Sequence, residues 1–236
     1  MTDTAYSLEL ARNKLRSLQY FTRRNIPFPK TGFSFATKGY DEVLEDISGK
    51  SYIIKLNEGT EGMGVFLAED DKQAKNFLGT FQQLETEVMV QEFIEESAGT
   101  DLRCFVIGDK VVASMQRKAQ DGDFRANISL GGHAYEANLT EEEEALSLNA
   151  SKAVGMNISG VDIIRSDRGP LVIEINTAPN FCGLEAASGF DVAGAMITFV
   201  EESFAKLKEG KGAWLDKRPA GSAKRFAEGA VAPFER

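Results

Sequence analysis

Gly160-Val161-Asp162-Ile163-Ile164-Arg165, the turn Ser166-Asp167-Arg168-Gly169-Pro170, and Leu171-Val172-Ile173-Glu174-Ile175-Asn176 decide how this chain is read. Two apolar runs read as strands, and a carboxylate inside a strand covered on both faces is costly unless something compensates it. A three-residue loop, Asp167 to Gly169 with Gly169 left-handed, sets Ser166 opposite Pro170 and therefore Asp162 opposite Glu174. Side chains alternate along a strand, so Asn176 shares a face with Glu174. Two carboxylates and an amide then converge, an all-oxygen set that suits Mg²⁺ or Mn²⁺. The alternative is a solvated hairpin with its polar residues outward, against which the apolar flanks argue.

Outward from this hairpin the chain alternates helices with further hairpins. Helical spacing of Leu8, Ala11, Leu15 and Leu18 predicts one helix over residues 7–25, ended by Ile26-Pro27. Residues 31–36 read as a short strand and 39–46 as a short helix. Residues 51–56 and 64–68 form a hairpin around a glycine-containing loop, followed by a helix over 70–84 and a strand over 88–93. A second hairpin joins 102–107 to 110–117 across Gly108-Asp109. Thr140 and Glu143 match a capping box for a helix running to about residue 153. A last helix spans 192–207, and His133, after two glycines, reads as a loop residue. Hairpins mixed with helices imply α+β lobes with antiparallel sheets, not a doubly wound parallel sheet.

Composition narrows the chemistry. Of 236 residues, 42% are apolar and 27% charged, which is ordinary for a globular protein. The single histidine, His133, argues against a His-based zinc site and a Ser-His-Asp triad. Two cysteines without CxxC spacing, no apolar run of membrane-span length and no signal-peptide pattern suggest a cytoplasmic protein without a membrane partner. Net charge is −9, but residues 211–236 hold six basic against three acidic side chains, leaving an acidic body that disfavours nucleic acid. The tail reads as a loosely ordered extension or an arm for homo-oligomer contacts.

Several groups of residues suit a phosphate-bearing ligand. Glu58-Gly59-Thr60-Glu61-Gly62-Met63-Gly64 is not a P-loop, since no Gly-Lys-Ser/Thr follows; it is either a glycine hairpin folding over a triphosphate or a plain flexible one. Lys55, in the strand before it, is either an outward-facing strand residue or a phosphate ligand. Gln91-Glu92-Phe93-Ile94 ends a strand where main-chain groups could read adenine, with Asp101 placed for ribose hydroxyls; taken alone, an ordinary strand end fits as well. Arg103, Arg117, Lys118 and Arg125 form a basic group in the acidic body, and guanidinium suits phosphate and carboxylate. The polar stretch 121–129 around Arg125 gives little reason for order without a ligand.

In this order the segments Ala11-Arg12-Asn13-Lys14-Leu15-Arg16-Ser17, Lys55-Leu56-Asn57-Glu58-Gly59-Thr60-Glu61-Gly62-Met63-Gly64-Val65, Gln91-Glu92-Phe93-Ile94, Gly99-Thr100-Asp101-Leu102-Arg103-Cys104, Gly122-Asp123-Phe124-Arg125-Ala126-Asn127, Gly160-Val161-Asp162 and Val172-Ile173-Glu174-Ile175-Asn176 resemble the RimK-type α-L-glutamate ligases of the ATP-grasp superfamily. The resemblance runs from about residue 11 to 201. It implies an ATP-grasp fold of two α+β lobes gripping ATP. Residues 1–100 would contain a small ATP-binding lobe near 28–92, residues 101–210 the metal-bearing lobe, and 211–236 the basic tail. It further implies Lys55, Lys14, Gly62, Gly64 and Arg103 on the nucleotide side, Glu92 and Phe93 at adenine, and Asp101 at ribose. Arg125 and Asn127 would be catalytic at the phosphate and acyl end, with Asp162, Glu174 and Asn176 holding two Mg²⁺ or Mn²⁺ ions.

The implied reaction is ATP-dependent carboxylate–amine ligation through an acylphosphate, with glutamate or a related amino acid as amine and a peptide, protein or small molecule as carboxylate. It fits a chain without a nucleophile–base pair, because phosphoryl transfer needs positioning and charge neutralisation. Two departures stand out. The match begins near residue 11, so the family's usual N-terminal lobe is expected to be missing. Asn176-Thr177-Ala178-Pro179-Asn180-Phe181-Cys182-Gly183 replaces the more usual Asn-x-Ser-Pro-Gly run where the acceptor should sit, with Cys182 expected as a pocket neighbour. The competing expectation is an ATP-binding partner subunit that needs a separate chain for activity.

Overall fold

Two antiparallel sheets organise the protein, and the computed structural model describes residues 3–34, 40–56 and 64–208 of it. The chain opens with helices α1 (Ala5–Arg12) and α2 (Lys14–Arg23), not the single helix the apolar spacing predicts. Asn13 breaks it: its backbone is extended at φ −91°, and its side chain accepts from the Arg16 N–H at 2.9 Å. An asparagine that caps the following turn competes with continuation of the helix. The break places Lys14 at the first position of α2.

The smaller sheet comprises β1 (Thr31–Ser34), β2 (Tyr52–Leu56), β3 (Val65–Ala68) and β4 (Val88–Glu92) in the order β1-β4-β2-β3. Helices α3 (Asp41–Ile47) and α4 (Asp71–Gln83) cover one face, where Tyr52, Ile54, Val88 and Val90 pack with Leu44 and Leu78. Ile53, Lys55, Met89 and Gln91 alternate onto the opposite face. Residues 35–36 of the expected first strand, Gly62 and most of its loop, and the tail beyond residue 208 lie outside the described residues.

The larger sheet has β5 (Thr100–Ile107), β6 (Lys110–Lys118), β7 (His133–Glu136), β8 (Ile158–Ser166) and β9 (Gly169–Asn176), ordered β7-β6-β5-β8-β9. His133 thus starts an edge strand, contrary to the loop expected for it; it pairs with Lys118. One face packs against α1, α2 and α5 (Glu141–Val154) through Leu10, Phe21, Leu146, Val154, Leu102 and Val161. The capping box is present: the Thr140 hydroxyl accepts from the Glu143 N–H, and Glu143 accepts from the Thr140 N–H. Phe105, Ile107 and Met115, on the other face, meet α6 (Cys182–Ser188) and α7 (Val192–Lys208) through Leu184 and Val192. Arg103 and Asp101 continue that face of β5 beyond the helices.

The β8–β9 hairpin reaches its expected pairing by an unexpected route. Its turn has two residues, with Ser166 opposite Gly169 instead of Pro170, and that alone would shift the register by one. A bulge between Asp162 and Ile163 restores it: Ile163 pairs with Val172, Asp162 with Glu174, and Ile173 is the extra residue. Gly169 has φ +103°, a conformation that side chains disfavour. Among the described residues no single helix is long and apolar enough to cross a membrane.

Candidate active site

The open face of the smaller sheet forms a roof, and the exposed end of β5, β8 and β9 forms a floor. Between them lies a cleft with about 980 Å³ of empty space, open solvent included. Lys14, Lys55, Glu92, Phe93, Asp101, Arg125, Asn127, Asp162 and Glu174 all line it, so nine of the residues singled out in the sequence meet in one place.

Asp162 is the centre of the floor and is almost fully buried. Arg103 binds both its oxygens, Nε to Oδ1 and Nη2 to Oδ2, each at 2.7 Å. Arg117 adds a bond to Oδ2 at 2.8 Å and clasps both oxygens of Asp101 at 2.6 Å. Asn176 Nδ2 also approaches Asp162 Oδ2, at 3.2 Å. Burial alone would raise the Asp162 carboxyl, but the two guanidiniums outweigh it and hold it far below the usual carboxylate range. Burial pushes Asp101 up against the pull of Arg117. The expected free basic group therefore differs from what the fold builds. Arg103 lies outside the cleft lining with its charge matched by Asp162; Arg117, not assigned a role in the sequence, ties the two aspartates together.

Glu174 lives differently on the same hairpin. It lines the cleft directly opposite Asp162, and among the described residues its carboxylate enters no hydrogen bond or salt bridge. Asn176 gives its amide nitrogen to Asp162, leaving its carbonyl oxygen uncommitted. One open carboxylate, one amide oxygen and the remaining lone pair on Asp162 Oδ1 are hard oxygen donors that fit Mg²⁺ or Mn²⁺. No group of three or more His, Cys, Asp or Glu side chains suited to a metal occurs among the described residues; the third donor here is an amide.

On the roof, Lys55 is buried and faces the cleft, not outward; its Nζ donates to Gln91 Oε1 at 3.0 Å. Burial lowers its pKa, Glu174 opposes that shift, and Lys14 adds to it. Gly64 has φ +71°, and a Cβ there would meet Leu56 Cδ1 at 2.7 Å, so this end of the glycine loop tolerates only glycine.

At the far end of the cleft the Glu92 side chain is occupied elsewhere: it accepts from the Lys30 N–H at 2.6 Å and from Arg168 of the β8–β9 turn. The Glu92 and Phe93 N–H groups bond the Lys30 and Ser51 carbonyls. Ile94, next in line, is buried in the lining and its N–H has no backbone partner among the described residues, so of the main-chain donors expected at this strand end it is the one that stays open. Phe124 went unnoticed in its polar surroundings; its ring stands edge-on to Phe93 with centroids 6.4 Å apart.

The stretch around Arg125 is held by its own turn instead of needing a ligand. Asp123 accepts from the Arg125 backbone and from its Nε and Nη2, and Leu130 and Gly132 both donate to the Asn127 carbonyl. The Asn127 side chain makes no hydrogen bond among the described residues. Cys182 is exposed at the start of α6 and does not line the cleft, contrary to its expected place.

The RimK-like ATP-grasp domain model matches residues 11–200. A protein named probable alpha-L-glutamate ligase from Thioalkalivibrio sulfidiphilus is 47% identical over 197 residues, covering 84% of this chain and 65% of that protein. One of the same name from Picosynechococcus is 45% identical over 206 residues, covering 87% and 68%. The chain thus spans about two thirds of the length of these relatives. Among solved structures, a RimK domain ATP-grasp protein of Sphaerobacter thermophilus superposes with TM-score 0.63 at 23% identity, over 82% of this chain and 69% of that one. D-alanine–D-alanine ligase of Bacillus anthracis does so with TM-score 0.69 at 20% identity, over 89% and 72%. At such identities the likeness establishes the ATP-grasp fold.

Proposed function

The chain belongs to the RimK-like ATP-grasp family, and from that premise we propose that it joins a carboxylate to an amine with ATP as the energy source. The observation that carries this reading is the polarity of the cleft. Buried Lys55 and half-buried Lys14 line it, and the open carboxylate of Glu174 faces it beside Asp162. Such a site suits a polyphosphate neutralised partly by lysine and partly by cations held on carboxylates.

Adenine would lie under Phe93 and Phe124, with the Ile94 N–H, open among the described residues, as the donor to its ring nitrogen. Asp101 is the nearest acceptor for ribose, although Arg117 already engages both its oxygens. Asp162, Glu174 and Asn176 would hold two Mg²⁺ or Mn²⁺ ions, which supply charge neutralisation of the phosphates. Lys55 and Lys14 bind phosphate oxygens, and Gly62 and Gly64 complete the nucleotide side. Arg125 and Asn127 stand at the remaining end, where a carboxylate attacks the γ-phosphate with release of ADP, and an amine then attacks the acylphosphate carbonyl, loses its proton and expels inorganic phosphate. Arg125 offsets the charge that develops on both groups, and closing the glycine loop keeps water from the acylphosphate. Glutamate as the amine is supported by the names of the relatives.

The test is phosphate release with Mg²⁺, ATP, glutamate and candidate carboxylates, followed by mass spectrometry of the products. Release that depends on both co-substrates and yields a glutamyl adduct is expected; ATP turnover indifferent to every acceptor would overturn ligation. One observation favours a second reading, an ATP-binding subunit completed by another chain. Asp162 already accepts four hydrogen bonds, leaving little room for a cation. Tight ATP binding without turnover, relieved only by a second protein, would support that reading.

A further inference from the structure

Lys55 is held by a relay of three hydrogen bonds that runs across the roof. The Thr31 hydroxyl donates to the Pro29 carbonyl at 2.7 Å. Gln91 Nε2 donates to Thr31 Oγ1 at 2.9 Å, and Gln91 Oε1 accepts from Lys55 Nζ at 3.0 Å. Gln91 is almost fully buried, and Thr31 stands directly opposite it on the edge strand β1.

The chemistry of a single hydroxyl fixes the direction of the relay. Thr31 has one O–H, committed to the Pro29 carbonyl, so toward Gln91 its oxygen can only accept. The Gln91 amide must therefore turn its NH₂ to Thr31 and its carbonyl to Lys55. A carbonyl facing Nζ favours the ammonium form, whereas an NH₂ there would favour the neutral amine. No salt bridge holds Lys55 among the described residues; Glu174, Asp162, Asp101 and Lys14 act on it only through space. The amide orientation is thus the hydrogen-bond contact that, among the described residues, holds this buried lysine's proton and aims it.

We infer that Thr31 and Gln91 are positioning residues that keep Lys55 charged and aimed at the phosphates of the nucleotide. This rests on the proposed ATP site for its ligand but not for its internal geometry. Thr31→Val keeps shape and loses the hydroxyl; Thr31→Ser keeps the hydroxyl. Both sit on an edge strand, and unchanged melting curves verify folding. Two readouts apply to the full chain. The first is the rate at which the neutral Lys55 amine is acylated by a small amine-reactive anhydride, which loses its carboxylate, at one fixed pH, read by peptide mass spectrometry without nucleotide. The second is the split between KM for ATP and kcat.

Thr31→Val is expected to acylate about 3–10-fold faster at Lys55, the range of one net hydrogen bond. Its KM for ATP rises by about the same factor while kcat stays within about twofold, and Thr31→Ser matches the parent in both. Equal acylation of Thr31→Val and parent overturns the inference. So does a Thr31→Ser variant as altered as Thr31→Val, which would make shape the cause. Altered acylation with an unchanged KM overturns the nucleotide role of the relay. If the parent itself never saturates with ATP, the proposed function falls, while the acylation ratio still decides whether the relay exists.

Discussion

The floor and the roof of the cleft handle buried charge in opposite ways. On the floor, Asp162, Arg103, Arg117 and Asp101 interlock so that every full charge has a counter-charge at hydrogen-bond distance. On the roof, the hydrogen-bond partner of Lys55 among the described residues is a neutral amide. A closed network fixes geometry, since breaking one member strands the rest. A cation left with an amide is costly until an anion arrives, which makes it a binding device. The floor is a scaffold and the roof a receptor, and Glu174, on the floor but unpartnered, belongs by its chemistry to the receptor.

Asp162→Ala should break this contrast most severely. It strands the buried Arg103 guanidinium and leaves Arg117 with Asp101 alone, and a loss of about 3–5 kcal/mol is expected by chemical denaturation. Glu174→Gln, on the same hairpin, should change stability by under about 1 kcal/mol, because Glu174 has no ion pair among the described residues to lose. It should still cut metal-dependent ATP turnover by on the order of 100-fold, as loss of one charge-stabilising group at the reaction centre does. Equal destabilisation by the two variants would erase the distinction between them.

Lys55→Met sharpens the roof side. ATP binding measured by calorimetry should weaken by about 10–100-fold, the worth of a charge-assisted contact, with no loss of melting temperature. The pH dependence has a definite sign. Because burial lowers the Lys55 value, the ammonium is lost on raising pH before the ordinary lysine value of about 10.4. ATP affinity therefore falls as pH rises toward that value, and this limb is absent in Lys55→Met.

Asp162 behaves in the reverse sense. Its folded value lies far below the unfolded value of about 3.9, so the unfolded chain takes up the proton first. The stabilisation is present above about pH 4 and fades as pH falls below it; Asp162→Ala should flatten that acid slope. The smallest effect is expected at Arg168, half exposed where it joins the floor hairpin to Glu92 beneath the roof. Arg168→Ala should cost at most about 1 kcal/mol in denaturant titrations. A larger loss would mean that roof and floor are one unit.

Much of this was legible in residue order. The helix starts at Thr140 and Asp70, the hairpin turns, and the opposed carboxylates follow from rules that act within a few residues. Even there the β8–β9 register came out right only because a shorter turn and a bulge cancel. The helix break at Asn13 was hidden because apolar spacing runs across it, while the cap depends on one side chain. The strand end Gln91-Glu92-Phe93-Ile94 was legible as a place that presents main-chain groups, but which N–H stays open there depends on pairing with Lys30 and Ser51, distant in sequence.

The sequence by itself determined the α+β class, most elements, and the identity of the groups in the cleft, because periodicity, caps and turn chemistry are local. Only the tertiary structure decided which charges satisfy one another. Arg103 and Asp162 are 59 positions apart, Arg117 and Asp162 are 45, and Gln91 and Thr31 are 60. Strand order in the two sheets brings them within 3 Å, and once they are there, buried charge must find its partner or remain open for a ligand.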